Sequence, residues 1–289
     1  MPNQITLATH FIPILDEVYR FASLTSDLDG APELAQQGAN AGELIIPKLS
    51  MDGLADYSRN SGYVDGDVEL VNETVACNYD RGRKFSIDAM DDEETANIAF
   101  SRLAGEFIRT KVVPEIDAFR FATYCAIEGI SVASGTLSDG EAVIAAIRAG
   151  TTKMDEDEVP FENRFLYITP TLKGVIDDLD TTKSREVLKK FKKVIEVPQS
   201  RFATAIKLRD GKTEGETTGG YVKADTAKDI NFMIVHKDAV IQFPKHVAPK
   251  VIPPKLNPNG DSWIYGYRNY GIADVYENKT AGIYLHHKG

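Results

Sequence analysis

The sequence predicts an α+β fold with an extended hairpin, and three observations carry that prediction. Residues 43–88 alternate apolar and polar groups around a turn-rich middle, residues 93–128 repeat apolar groups at helical spacing, and residues 134–240 alternate short apolar strands with amphipathic helices. With 289 residues there is room for one large domain or two ordinary ones. The composition, 43% hydrophobic and 26% charged with 22 glycines, is that of a globular chain.

Bulk charge and cysteine usage exclude several classes. The formal net charge of −10, from 43 acids against 33 bases, disfavours a tight nucleic-acid binder, because phosphate affinity comes from clustered Lys and Arg. Cys77 and Cys125 form no CxxC pair, which argues against a disulfide framework or structural zinc and fits a reducing compartment. No apolar run approaches the roughly 20 residues that span a bilayer. The N-terminus lacks the basic region and apolar core of a signal peptide, so a soluble, cytoplasmically made chain is expected.

Taken in order, Pro13 opens a short amphipathic helix over 13–25 with Ile14, Val18, Phe21 and Ala22 on one face. Ser26 to Gly42 is loose and glycine-bearing, an arm rather than a core element. ELIIPKL (43–49) is extended, NSGYVDGD (60–67) supplies turn residues, and VELVNETVACNYD (68–80) runs back with Val71, Val75, Cys77 and Tyr79 on one face. KFSIDA continues the alternation, Phe85 and Ile87 opposite Lys84, Ser86 and Asp88. Much of this hairpin reads as polar on both faces. An isolated hairpin is only marginally stable in water, so one this long is expected to lie on a neighbouring subunit.

DDEE (91–94) places four acids at the start of a helix, where they favour the positive end of the macrodipole. From Glu93 to Glu128 apolar groups recur at helical spacing, with Phe100, Leu103 and Phe107 before Pro114 and Ile116, Phe119 and Ile127 after it. At 1.5 Å per residue this run would be roughly 54 Å long. An interior proline costs about 3 kcal/mol, so Pro114 is expected to kink or split it. Ser138-Asp139-Gly140-Glu141 is a capping box for a helix through Ala149, closed by Gly150. RFLYIT (164–169) is a buried-type strand, Thr169-Pro170 starts the helix LKGVIDDL, and SREVLKKFKKVI (184–195) is amphipathic. KLRDGKTEGETTGGYVK is a hairpin or loop, INFMIV (230–235) an interior strand, and the proline-rich run from Val240 leads into aromatic strands with a turn at ENKTAG (277–282).

The search for chemistry returns nothing. There is neither GxxxxGK[ST] nor GxGxxG, and GETTGG (215–220) lacks the lysine and following helix of a phosphate loop. Of five histidines, His286 and His287 read as a solvated tail and His236 as a satisfied structural residue; His10 and His246 stand alone. Cys125 reads as a small buried hydrophobe. The pairs Asp91-Asp92 and Asp177-Asp178 are sequence neighbours whose side chains diverge, unlike the convergent carboxylates of glycosidic chemistry. Trp263, Tyr265, Tyr267 and Tyr270 could stack bases, but with Arg268 as the sole base among them they read as sheet packing. No catalytic, cofactor-binding or metal-ligating residue is assigned, no cofactor is expected, and an enzyme is not expected.

An arm, a long hairpin, a strut helix, a compact α+β lobe and a return to the strut resemble the major capsid proteins of tailed double-stranded DNA bacteriophages, the Hong Kong 97-type fold. The likeness extends over nearly the whole chain. DGLADYSRNSGYVDGDVEL (52–70) is similar to the tip of that family's extended loop, NYDRGRKFSIDAMDDEET (78–95) to the return strand entering the spine helix, and VVPEIDAFRFA (112–122) to mid-spine. INFMIVHKDAVIQFPKH (230–246) and WIYGYRNYGIADVYENKTAGIYLH (263–286) resemble the lobe-to-sheet crossing and terminal strands. The resemblance implies an N-terminal arm (1–42), an extended loop (43–88), a peripheral domain with the spine helix (89–133), an axial domain (134–240) and return strands to the peripheral sheet (241–289). It further implies pentamers and hexamers closing into an icosahedron around DNA, a portal, and a virion assembled in a bacterial cytoplasm with no membrane. Because the arm starts almost at once, a separate scaffolding protein or a processed chain is implied. Lys48 and Lys84 flank the hairpin, but neither matches a crosslinking position, and no crosslink is expected. The competing readings are an encapsulin-like nanocompartment shell of the same fold and a soluble hydrolase with an unrecognised site.

Overall fold

The structure, a computed structural model, describes residues 23–30, 36–37, 43–60, 62–94, 98–179 and 181–289. The helix expected over 13–25 and most of the expected arm lie outside the described residues.

Two sheets and one long helical strut organise the chain. The hairpin pairs β2 (Glu43–Met51) antiparallel with β3 (Val68–Ala76), with the two-residue β1 (Gln36–Gln37) on the outer side of β2. β4 (Tyr79–Asp88) does not belong to it. β4 is the edge of a three-stranded antiparallel sheet, β11 (Val240–Ile252), β12 (Ser262–Val275), β4, in register from Ser262–Asp88 to Gly271–Tyr79. The expected two-stranded excursion over 43–88 therefore ends at Ala76, and only Cys77 and Asn78 separate it from the sheet. Asn78 secures that corner, its side-chain amide donating to the Ala273 carbonyl at 2.7 Å and its oxygen accepting from the Ala273 N–H at 3.1 Å.

The strut comprises α1 (Ala89–Glu94), α2 (Ile98–Phe107), a π turn (Ile108–Val112) and α3 (Val113–Ala126). The acids of DDEE do not start it. Asp88 precedes the first turn and accepts from the Met90 N–H at 2.9 Å. Nor does Pro114 end it: Val112 and Val113 keep helical dihedrals (φ −69°, ψ −53° and φ −61°, ψ −48°). The π turn is wound one residue wider than an α turn and directly precedes the proline. Pro114 thus falls at the second position of α3, where its missing N–H does least harm.

The second sheet has strand order β5 (Ser131–Ser134), β13 (Ile283–His287), β10 (Ile230–His236), β6 (Arg164–Ile168), β7 (Lys193–Glu196). Its central strands are buried on both faces, which is why they read as unbroken apolar runs. Leu166, Ile168, Phe232, Ile234 and Tyr284 face a core built with α4 (Gly140–Glu156), α5 (Pro170–Leu179) and α6 (Thr182–Lys189). Phe165, Tyr167, Met233, Val235, Ile283 and Leu285 face a second core that contains Phe121 and Tyr124 of α3. A third core joins Ile108, Val112, Val113 and Ile116 to Tyr79, Tyr265 and Tyr267 of the three-stranded sheet. Phe119 packs against both of the last two cores, so the strut crosses from one sheet to the other near its proline.

Two expectations need local correction. α4 starts from Asp139, whose side chain accepts from the Ala142 N–H at 2.8 Å, and runs past Gly150 to Glu156. Gly150 is not a stop but a contact: a Cβ there would meet the Tyr284 ring at 2.8 Å and Ile234 at 3.0 Å. SREVLKKFKKVI is not one helix. α6 ends at Lys189, and Lys193–Glu196 becomes β7, paired parallel with β6, because Val194 and Ile195 fill the sheet edge.

Candidate assembly surfaces

The hairpin carries its apolar groups outward. Leu49 lies opposite Leu70 and Met51 opposite Val68, so the four share one face. Their exposures are 58%, 66%, 64% and 69%. The outer half is thus not polar on both faces as its sequence suggests. Beyond it the tip, with Leu54, Tyr57, Tyr63 and Val64 exposed, is closed by a backbone bridge between Ser58 and Gly62 and by Tyr57 and Tyr63 rings 4.9 Å apart. The tip is also acidic, with Asp52, Asp56, Asp65 and Asp67 against Arg59. Only the root is seated: Val75 packs with Ile241, Phe243 and Ile272. A large exposed apolar face rimmed by charge is the signature of an interaction surface.

A second surface is a groove of about 780 Å³ walled by β4, the α2–α3 strut and the loop between β8 (Ile206–Leu208) and β9 (Tyr221–Lys223). Arg81 Nε reaches Glu115 of α3 at 2.8 Å, and the Tyr79 hydroxyl donates to the same oxygen at 3.1 Å. Burial disfavours the Arg81 charge, but Glu115 more than offsets that and its pKa is raised. Lys111 and Arg209 also line the groove, and no ion pair to either exists among the described residues.

The third feature is the anchorage of residues 23–30. Asp117, fully buried on α3, accepts from Ser23 Oγ and Thr25 Oγ1, both at 2.9 Å, and from the N–H groups of Leu24 (3.2 Å) and Thr25 (3.4 Å). Arg201 approaches the same carboxylate at 3.4 Å. Arg120 donates to Thr25 Oγ1 at 2.7 Å, and Gln242 donates to the Thr25 carbonyl and to Asp29 at 2.7 and 2.6 Å. Tyr124 completes the set with a 2.6 Å bond to Gln242, and burial pushes its pKa up. Glu115, Asp117 and Arg120 were not singled out by sequence reasoning. The available signal was three charges on a helix whose remaining residues are nearly all apolar.

The candidates for chemistry do not converge. Cys125 is half-buried on α3, and loss of water raises its thiol pKa. His236 is buried at the end of β10 and accepts from the Asp238 N–H at 3.3 Å. His286 is no solvated tail: it sits in β13, 5% exposed, stacked on Phe232 at 5.1 Å and 3.0 Å from the Asn231 amide. His246 is exposed on β11, and His10 lies outside the described residues. Asp177 pairs with Lys173 on α5. GETTGG lies in the β8–β9 loop, with a strand after it rather than a helix. Tyr265 and Tyr267 are buried in the third core, as sheet packing requires, and Tyr270 stacks near Arg268 at 5.8 Å. Lys48 lies in β2 opposite Val71, and Lys84 is exposed on β4, off the hairpin. Among the described residues no group of three or more His, Cys, Asp or Glu could hold a metal, and no helix is long and apolar enough to cross a membrane.

The fold has close counterparts. It is similar to the capsid structure of cyanophage P-SCSP1u, at 12% identity over 93% of this chain and 88% of that one, TM-score 0.63. It is similar to a structure from Gordonia phage Cozz, at 13% identity, 93% and 86% coverage and TM-score 0.61. A virus-like particle from Pyrococcus furiosus matches at 11% identity, 94% and 95% coverage and TM-score 0.58. No protein-family model and no curated protein matches the sequence. The expected α+β fold of the Hong Kong 97 type is the fold of this chain.

Proposed function

We propose that the chain is the major capsid protein of a tailed double-stranded DNA bacteriophage, a structural shell subunit and not an enzyme. The observation that carries this reading is the hairpin: an anchored root, a long free reach and an uncovered apolar face, on a fold shared end to end with phage capsid structures. A monomer gains nothing from exposing Leu49, Met51, Val68 and Leu70, whereas a subunit that laps its neighbour covers them. Such a contact joins unlike surfaces, and heterologous contacts close into rings when the rotation fits. Rings of five and six would form pentamers and hexamers, with residues 134–240 as the axial domain at their centres and 1–42 as an arm to another subunit.

The formal charge of −10 suits a wall that encloses DNA without adhering to it. A scaffolding protein and a portal complete the expected partners, the virion is the final location, and assembly takes place in the bacterial cytoplasm. The likeness to the Pyrococcus furiosus particle supports a second reading, an encapsulin-like shell around a protein cargo. Negative-stain electron microscopy of the purified chain, alone and with scaffolding protein, tests the proposal. Closed shells or five- and six-membered rings support it, and nucleic-acid absorbance of native particles separates genome from cargo. A monomer or dimer that stays inert with scaffolding protein overturns it.

A further inference from the structure

Two arginines of β4 span the groove to a loop that belongs to the other lobe. Arg81 and Arg83 lie on the same face of the strand, with Gly82 between them against β12, where a Cβ would meet the Tyr267 carbonyl at 2.7 Å. Arg83 Nη2 donates to the Thr217 carbonyl at 3.1 Å, and Arg81 Nη2 to the Gly220 carbonyl at 3.3 Å. Charge-assisted bonds from a rigid guanidinium fork are stronger and more directional than neutral ones.

The loop they reach, residues 209–220, holds its own shape. Asp210 accepts from the N–H groups of Lys212 (2.7 Å) and Thr213 (2.9 Å) and from the Thr213 hydroxyl (2.6 Å), and these bonds hold its pKa down at about 2. Glu216 pairs with Lys207 of β8 at 2.5 Å. Glycines in the left-handed region flank this knot, Gly211 at φ +73° on one side and Gly219 and Gly220 at +66° and +80° on the other. A segment rigid within and glycine-hinged at its ends moves as a unit.

We propose that Arg81 and Arg83 are a latch that holds the 209–220 loop as one wall of the groove, and that the loop swings out on its glycine hinges when the latch opens. Because β4 follows the hairpin after only two residues, the latch links the hairpin root to the second lobe. The inference stands apart from the shell proposal, since it concerns a single chain. Arg83→Gln is the cleaner probe, because Arg81 also holds Glu115. Trypsin sites at Arg209 and Lys212 lie in the loop, and the full-length chain is digested under native conditions. Arg83→Gln raises the cleavage rate there about tenfold, as expected for losing one charge-assisted bond from an opening equilibrium. Hydrogen exchange at 212–218 rises in step, and Arg83→Lys, which keeps the charge but loses the fork, falls between. Lys84→Gln, on the opposite face of β4, leaves both unchanged. Cleavage and exchange in a folded Arg83→Gln chain equal to wild type overturn the latch, as does an equal rise in Lys84→Gln.

Discussion

The sharpest consequence concerns Asp117. Replacing it with alanine removes the acceptor for two hydroxyls and two backbone N–H groups at once and strips Arg201 of its carboxylate. A charge-assisted hydrogen bond contributes about 1.5–3 kcal/mol, so a naive sum exceeds 6 kcal/mol. The sum overstates the loss, because the hydroxyls of Ser23 and Thr25 can rotate to other acceptors and Arg201 is partly solvated. The two amides cannot re-aim, and Arg120 remains buried. Breaking a buried charged network by removing one partner costs about 3–5 kcal/mol, and Asp117→Ala should cost about 4 kcal/mol on that scale. Asp117→Asn keeps one carbonyl acceptor and should cost about 2 kcal/mol.

At about 2–4 °C per kcal/mol for large domains, the alanine variant should melt about 8–16 °C below wild type. Thermal unfolding followed by circular dichroism measures this, and hydrogen exchange over 23–30 locates it. A double-mutant cycle with Thr25→Val should give a coupling of at least about 1 kcal/mol, since the Thr25 hydroxyl donates to Asp117 while accepting from Arg120. Losses below about 0.5 kcal/mol for Asp117→Asn, or strict additivity with Thr25→Val, would refute the claim that this carboxylate anchors the segment.

Other outcomes follow from single contacts. Leu49→Asp and Leu70→Asp should leave the monomer's melting within about 0.5 kcal/mol of wild type, since both side chains are solvated, yet abolish assembly in sedimentation. Gly150→Ala, favourable by helix propensity, should instead destabilise by about 1–3 kcal/mol in urea unfolding, because its Cβ strikes Tyr284 and Ile234. Pro114→Ala should change stability by no more than about 1 kcal/mol, the π turn having already accommodated the proline; a gain of about 3 kcal/mol would contradict that. Burial lowers the pKa of both His236 and His286. The folded state then binds fewer protons than the unfolded one, so stability is lost as pH falls through the ordinary imidazole value of about 6.5. Urea midpoints from pH 8 to 5 should show that decline, and His286→Gln should flatten it.

Legibility tracked how local the determining physics is. RFLYIT and INFMIV were readable as interior strands because both faces of their sheet are covered, so burial leaves an unbroken apolar run. The start of α5 at Pro170 follows from one residue's chemistry. The errors arose where a partner distant in sequence decides. Gly150 looks like a helix stop until Tyr284 is known to press on it. Lys193–Glu196 continues an amphipathic helix by pattern, but β6 offers an edge to pair with. His286 looks like a tail until β10 supplies Phe232 to stack on. β4 alternates like its hairpin neighbours, and nothing local reveals that its partner is β12, more than 170 residues later. The Asp117 anchor is the extreme case, since its donors lie more than 90 residues upstream.

The proline in the strut ties these levels together. Ile108 to Ile116 pack on the three-stranded sheet, Phe121 and Tyr124 on the five-stranded one, and the charges between them hold the 23–30 segment and the groove. A uniform α-helix advances about 100° per residue and would carry a single stripe past both cores. The wide turn over 108–112 shifts the phase of everything after it, so that α3 is buried nearly all round where it passes between the sheets. Pro114 fits that geometry because the residues just after a phase shift resemble a helix start, where a proline's preset φ favours the turn and its absent N–H has no partner to lose. In a shell subunit the strut has a further demand: load applied at the hairpin root reaches the second lobe through it, and a helix clamped by two cores transmits force that a free one would absorb by bending.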